Sequence, residues 1–244
     1  MGSDLSFDRR RPSLGSNLDL TASGVTLHHI VIDQAVCIEA DRAPLSHDER
    51  IKAGRFHHAS DRNRYVQTRA ALRRLIGRLQ GIAPDAVAFS TGLHGKPKLA
   101  SPWRDLSFNL SHAGDHALIA ISNEGSVGVD IEQPSARIEM QSIAGHFFTV
   151  GERQVLDAAG EAARQSCFLA IWTAKEAYAK GLGLGLTLDP ESFEVRPSPG
   201  GFRVFDARHP VPPWWVRSIR FGDTLVGAVA TPHRVSCRMG RDGR

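Results

Sequence analysis

Asn123-Glu-Gly-Ser-Val-Gly-Val-Asp-Ile-Glu132 falls at the midpoint of the 244-residue chain, and its reading decides the organisation on either side. Asn123-Glu-Gly-Ser126 has turn composition, and Val127 to Glu132 reads as a strand. Side chains alternate along a strand, so Val127, Val129 and Ile131 fall on one buried face while Asp130 and Glu132 project together from the other. Before the turn, Val25 to Glu39 predicts an opening strand and Ser46 the start of a helix. Asp61 is expected to cap a longer helix reaching about Leu79, with Tyr65, Leu72, Leu75, Ile76 and Leu79 as its apolar stripe. Short strands follow near 87–90, 107–110 and 117–122. Beyond the turn, helices are expected over 151–159 and 161–180, the second ended by Gly181. Strand-like runs occur near 193–196, 202–205, 214–221 and 225–230. Each half reads as strand, helix, then several strands. That order predicts an α+β fold and argues against a doubly wound parallel sheet. The expected boundaries are a loose tail over 1–24, halves over 25–125 and 126–231, and a basic tail over 232–244.

A hydrophobic content of 41% suffices for a core, and the net charge of +4 is unevenly spread. Between Arg50 and Arg78 there are nine Lys or Arg residues against one acid, Asp61. Such a strip suits a polyanion: nucleic acid, a phosphorylated cofactor or an acidic protein. Cys37, Cys167 and Cys237 show neither CxxC nor zinc spacing and read as reduced thiols of a cytoplasmic protein. No apolar run approaches the roughly 20 residues that span a bilayer, so no membrane partner is expected. Met1-Gly-Ser-Asp-Leu-Ser6 matches the myristoylation pattern, a short match that arises easily by chance.

Glu176 and Lys180 in Trp172-Thr-Ala-Lys-Glu-Ala-Tyr-Ala-Lys180 lie one helical turn apart, and Trp172 shares their face. A Glu four residues before a Lys is also the ordinary surface pair. The aromatic beneath it indicates a partly enclosed site instead. Asp130, Glu132 and Glu176 from two rigid elements can hold one hard divalent cation, as magnesium is held by carboxylates, water and substrate phosphates. Lys175 points roughly 100° away around the helix, toward a second phosphate or solvent. Glu152 reads alone as a first-turn acid favoured by the helix dipole. Ser111 and His112, in a strand-to-turn segment, can donate to phosphate or serve as a local cap and a structural histidine. Gly95-Lys-Pro-Lys98 is a short basic turn with the same ambiguity. Gly181-Leu-Gly-Leu-Gly185 follows a helix and so is no phosphate-binding fingerprint.

Taken in order, Gly95-Lys-Pro97, Phe108-Asn-Leu-Ser-His112, Gly128-Val-Asp-Ile-Glu132, Phe147-Phe148 with Glu152, and Trp172-Thr-Ala-Lys-Glu176 with Lys180 resemble the 4′-phosphopantetheinyl transferases of the larger single-chain type. Arg55-Phe56, Asp61 and Arg64 match that family's early basic segment, and the likeness spans about Ile30 to Ala230. The resemblance implies two similar, pseudo-symmetric α+β halves with coenzyme A between them, in a monomer. It implies transfer of phosphopantetheine from coenzyme A to a serine of an apo acyl, peptidyl or aryl carrier protein, releasing adenosine 3′,5′-bisphosphate. Asp130, Glu132 and Glu176 would hold Mg2+, with Mn2+ as a substitute, and Lys180 would stabilise the pyrophosphate. Ser111 and His112 would bind coenzyme A phosphates, with Lys52, Arg55, Arg64, Lys96, Pro97 and Lys175 as further cofactor contacts. Glu176, Glu152 or a metal-bound water would take the serine proton. Glu49, three residues before Lys52, stands where some relatives carry a base, so the grip on the 3′-phosphate rests on other residues. Two other readings compete. A nucleic-acid binder using the Arg62 to Arg78 helix would leave the acids unexplained, and no nucleic acid is expected as partner. A magnesium phosphohydrolase would use water in place of serine.

Overall fold

The computed structural model describes residues 24–100, 105–135, 139–208, 213–222 and 225–240. Residues 1–23 of the first expected tail, including Met1 to Ser6, and 241–244 of the second lie outside them. In chain order the first part holds β1 (Val25–Val31), α1 (Glu39–Arg42), α2 (His47–Gly54), α3 (Ala59–Gln80), β2 (Phe89–Thr91), β3 (Pro97–Leu99), β4 (Ser107–Ala113) and β5 (His116–Ser122). Then come β6 (Gly128–Glu132), α4 (Met140–Phe147), α5 (Val150–Ala158), α6 (Glu161–Leu182), β7 (Phe193–Ser198), β8 (Gly201–Asp206), β9 (Trp215–Phe221), β10 (Leu225–Thr231) and β11 (Cys237–Met239).

Period-two burial turns these strands into a sandwich. One sheet has the order β11-β1-β5-β4, the other β6-β10-β9-β8-β7, and β2 and β3 form a separate hairpin. Along β5, Leu118 and Ala120 face the second sheet, where they join Val127, Val129, Ile131, Ile219, Phe221 and Val229. Ile119 and Ile121 face the other way, onto Leu72, Leu75, Ile76 and Leu79 of α3. The far side of the second sheet, through Val195, Phe202, Val216 and Ala228, is covered by Phe168, Ile171, Ala174 and Tyr178 of α6. The layers therefore run α3, sheet, sheet, α6: an α+β architecture with both long helices outside.

Local chemistry sets the helix ends. Ser46 caps α2 in a reciprocal capping box with Glu49. The expected cap at Asp61 is corrected: α3 starts after His58, and Asp61 lies in its first turn, 3.5 Å from Arg64. Gly181 likewise does not end α6, which continues to a left-handed Gly183 at φ +80°. Gly181 is small for a different reason. A Cβ on Gly181 would meet the Trp214 ring at 2.5 Å, while one on Gly128 of β6 would sit 1.9 Å from the Ala177 carbonyl oxygen, so Gly181 makes room for the ring and Gly128 lets helix and strand touch. Residues 237–239, expected within a basic tail, pair in parallel with Val25–Leu27 as an edge strand.

Candidate active site

The edge strands β4 and β6 belong to different sheets and meet side to side. Asn109 of β4 accepts a hydrogen bond from the Val129 amide of β6 at 2.9 Å, locking the two edges in register. Two residues further along, the Ser111 hydroxyl donates to Asp130 Oδ1 at 2.8 Å. α6 crosses this seam, and its Lys180 ammonium donates to Asp130 Oδ1 at 2.6 Å and to Ser111 Oγ at 3.1 Å. Asp130 pairs across the sheet with Ala228, which packs under α6, so the acid points toward that helix.

A cavity of about 370 Å³ opens over the seam, a size suited to part of a cofactor. Ser111, His112, Asp130, Glu132, Glu176 and Lys180 all line it, together with Trp172 and Phe147. With Lys175, which also lines it, seven expected site residues from three elements are thus brought together. Trp172 also hydrogen-bonds Glu132 through its indole N–H, and its ring contacts Phe147 and Phe168.

The electrostatics are those of crowded carboxylates. Burial pushes the Asp130 carboxyl up, and the nearby Lys180 and Ser111 only partly oppose this. Glu132 and Glu176 are raised first by burial and then by the Asp130 charge. His112 is held below its ordinary value by the desolvation around its ring, then by Arg64. Asp130 Oδ2 is buried without a hydrogen-bond partner among the described residues, and such an atom costs about 1–3 kcal/mol or more when charged. An uncompensated oxygen beside two mutually repelling glutamates can hold a hard cation. Among the described residues no group of three or more His, Cys, Asp or Glu side chains is placed to hold a metal ion by itself. The donor set therefore suits an ion that keeps water and substrate oxygens as ligands, as magnesium does.

Six expected cofactor or catalytic residues lie elsewhere or are engaged. Lys175 and Glu152 are corrected together. The Lys175 ammonium sits 2.8 and 2.7 Å from the two Glu152 oxygens and 3.0 Å from the Phe193 carbonyl. Glu152 also accepts from the Thr149 and Val195 amides, both at 2.8 Å. Neither polar group is left for a phosphate or a serine. Glu152 is the capping-box acid of α5, the plainer of the two expectations held for it. Lys96 is corrected as well: its ammonium donates at 2.9 Å to the carbonyls of Val127 and Gly181, pinning the β2–β3 hairpin to the helix–strand contact. Burial, then Lys98, lowers it to about 8. Lys96 and Pro97 line a neighbouring cavity of about 530 Å³ that continues along β4 through Ser107 and Phe108. Lys52 lies over the Tyr65 ring, and Arg55 is exposed at the end of α2. Asn109 was missed, although an asparagine inside an apolar strand is a signal that its side chain does something specific.

The profile of the 4′-phosphopantetheinyl transferase superfamily matches residues 126–229, and that of the 4′-phosphopantetheinyl transferase N-terminal region matches 38–124. The chain belongs to this superfamily, and its activity is that of a 4′-phosphopantetheinyl transferase. The 4′-phosphopantetheinyl transferase HetI of Nostoc sp. is 32% identical over 217 residues, covering 88% of this chain and 90% of its own length. The 4′-phosphopantetheinyl transferase Sfp of Bacillus subtilis is 32% identical over 152 residues, covering 62% and 66%. The L-aminoadipate-semialdehyde dehydrogenase-phosphopantetheinyl transferase of Mus musculus is 28% identical, covering 62% and 52%.

Proposed function

We propose that the seam cavity transfers the 4′-phosphopantetheine arm of coenzyme A to a serine of an apo acyl, peptidyl or aryl carrier protein, with Mg2+ held by Asp130, Glu132 and Glu176. One observation supports this most: a buried, unpartnered Asp130 oxygen next to two raised glutamates, with Lys180 and Ser111 within hydrogen-bond reach. When bound, the cation neutralises charge on the pyrophosphate. Lys180 holds the leaving oxygens from the α6 side, and Ser111 and His112 hold phosphate from the β4 side. Lys52, Arg55 and Arg64 serve the nucleotide end by charge. The serine oxygen forms its bond to phosphorus as the pyrophosphate P–O bond breaks, releasing adenosine 3′,5′-bisphosphate. The serine proton passes to a base in the cavity. Glu176, raised by burial, is the side chain suited to accept it, since Glu152 is fully engaged.

The same reading takes the halves as 25–125 and 126–231, and the protein as a cytoplasmic monomer. No helix among the described residues is long and apolar enough to cross a membrane. Intact-mass spectrometry of apo carriers after incubation with coenzyme A and magnesium tests it. The expected result is a gain of one phosphopantetheine, lost with chelator and in Glu176→Gln. A Glu176→Gln enzyme working near the wild-type rate would remove the site assignment. Consumption of coenzyme A without any carrier would favour a phosphohydrolase.

A further inference from the structure

Away from the catalytic seam, the β11 edge of the first sheet lies over β9, the middle strand of the second. Between them runs a groove of about 890 Å³, larger than either cavity on the catalytic side. Arg217, Arg220, Arg234 and Arg238 line it, and none of its lining residues is acidic. Arg217, Arg220 and Arg234 have no acidic partner among the described residues. The basic character continues over the outer face of β7 and β8. Arg203 and Arg234 lie 4.8 and 5.6 Å from the Trp215 ring centre, and Arg196 lies 4.1 Å from that of Phe205.

Two features of the groove distinguish among anions. First, its walls carry unpaired strand edges. Among the described residues β11 has β1 on one side and no strand on the other, and β8 pairs with only Trp215–Arg217 of β9. Open edges with pockets for alternate side chains accept an added extended chain. Second, the aromatic rings already carry guanidinium groups above them, so they offer no bare platform for stacking bases. Arg196 already pairs with Glu194 at 3.2 Å, whereas Arg203 and Arg234 have no acidic partner among the described residues and can take carboxylates in the two-pronged manner arginine favours.

We propose that this groove binds an extended acidic polypeptide segment of a partner protein. The segment adds alongside β11, with carboxylates toward Arg217, Arg234 and Arg238. The groove lies across the second sheet from α6, so its occupant is not the loop delivering the carrier serine. It is a separate contact that tethers a partner while the catalytic seam stays open.

Fluorescence anisotropy on the full chain tests this with four labelled probes: an alternating Glu/Val peptide, its Gln/Val counterpart, an acidic peptide of equal charge interrupted by prolines, and oligothymidylate. The Glu/Val peptide should bind at low salt and weaken as salt rises, since screening shortens to roughly 3 Å at 1 M. The Gln/Val and proline probes should each bind at least about tenfold more weakly, a loss of about 1.4 kcal/mol. The pair Arg217→Glu and Arg234→Glu should abolish binding while modification of an isolated apo carrier continues at the wild-type rate. Arg217→Gln with Arg234→Gln gives the same answer with less perturbation. Undiminished binding in these variants, equal binding of the proline probe, or tighter binding of oligothymidylate would each overturn the proposal.

Discussion

Two lysine–carboxylate pairs sit five residues apart on α6, and they have opposite characters. Lys175 and Glu152 are 2% and 0% exposed, and every polar atom of the pair is used by the other partner or by backbone. Lys180 and Asp130 are 27% and 4% exposed, the contact is equally short at 2.6 Å, yet one Asp130 oxygen has no partner. Burial and ion pairing therefore do not identify a working site. What distinguishes the two pairs is the unpartnered carboxylate oxygen of Asp130, whose burial cost a ligand in the cavity would offset.

The largest effect should come from the satisfied pair. Lys175→Met leaves a buried carboxylate uncompensated and should cost about 3–5 kcal/mol in urea unfolding. Adding Glu152→Gln should restore part of this by removing the uncompensated charge, although glutamine can accept from only one of the Thr149 and Val195 amides, which donate to different Glu152 oxygens. Full stability in Glu152→Gln alone, combined with lost turnover, would make Glu152 catalytic and erase the distinction. Asp130→Asn should do the reverse. Carrier modification should fall at least about a hundredfold, about 2.7 kcal/mol of barrier, while stability at neutral pH holds or rises.

This contrast was only half legible in the sequence. The period of two placed Asp130 and Glu132 on one face, and the period of 3.6 placed Trp172, Glu176 and Lys180 on another, because both faces follow from local geometry. What lies opposite Lys175 is not local: Glu152 is 23 residues away, and its identical look in a capping box or a catalytic site carries no directional information. Lys96 was misread for the same reason, since its two acceptors are carbonyls that leave no residue signature. Composition makes Gly181 look like a helix stop, whereas its smallness answers to the Trp214 ring, which a Cβ would meet at 2.5 Å. β11 is three residues long and is defined by β1, some two hundred residues earlier, so no local pattern announces it.

A smaller effect separates the pairs by pH. Asp130, Glu132 and Glu176 are raised by burial, so the folded chain keeps protons that the unfolded chain has released above about pH 4. Stability contributed by these groups therefore falls as pH rises through their folded values and stays lower beyond. His28 and His29, lowered to about 4 chiefly by burial, act with the opposite sign between about 4 and 6.5. Comparing Asp130→Asn with wild type in urea at several pH values cancels the histidines. The variant should gain on wild type as pH climbs, and magnesium should raise the wild-type midpoint at pH 7 but not at pH 4. A pH-independent difference would mean that Asp130 carries no desolvation burden.

The smallest expected effect tests how finely the open site is positioned. Trp172→Phe keeps the ring against Phe147 and Phe168 but removes the indole N–H that Glu132 accepts. A lost hydrogen bond to a charged group is worth about 1.5–3 kcal/mol, though Glu132 is partly exposed and water can replace some of it. About 1 kcal/mol should survive as a roughly fivefold weaker apparent magnesium affinity, with turnover at saturating magnesium nearly unchanged. Unfolding stability should shift little, because the aromatic packing remains. A matched loss in stability and turnover, with magnesium dependence unaltered, would assign Trp172 to the core alone. Glu132 would then be oriented by the strand, and the difference between the two ion pairs would rest on Asp130 by itself.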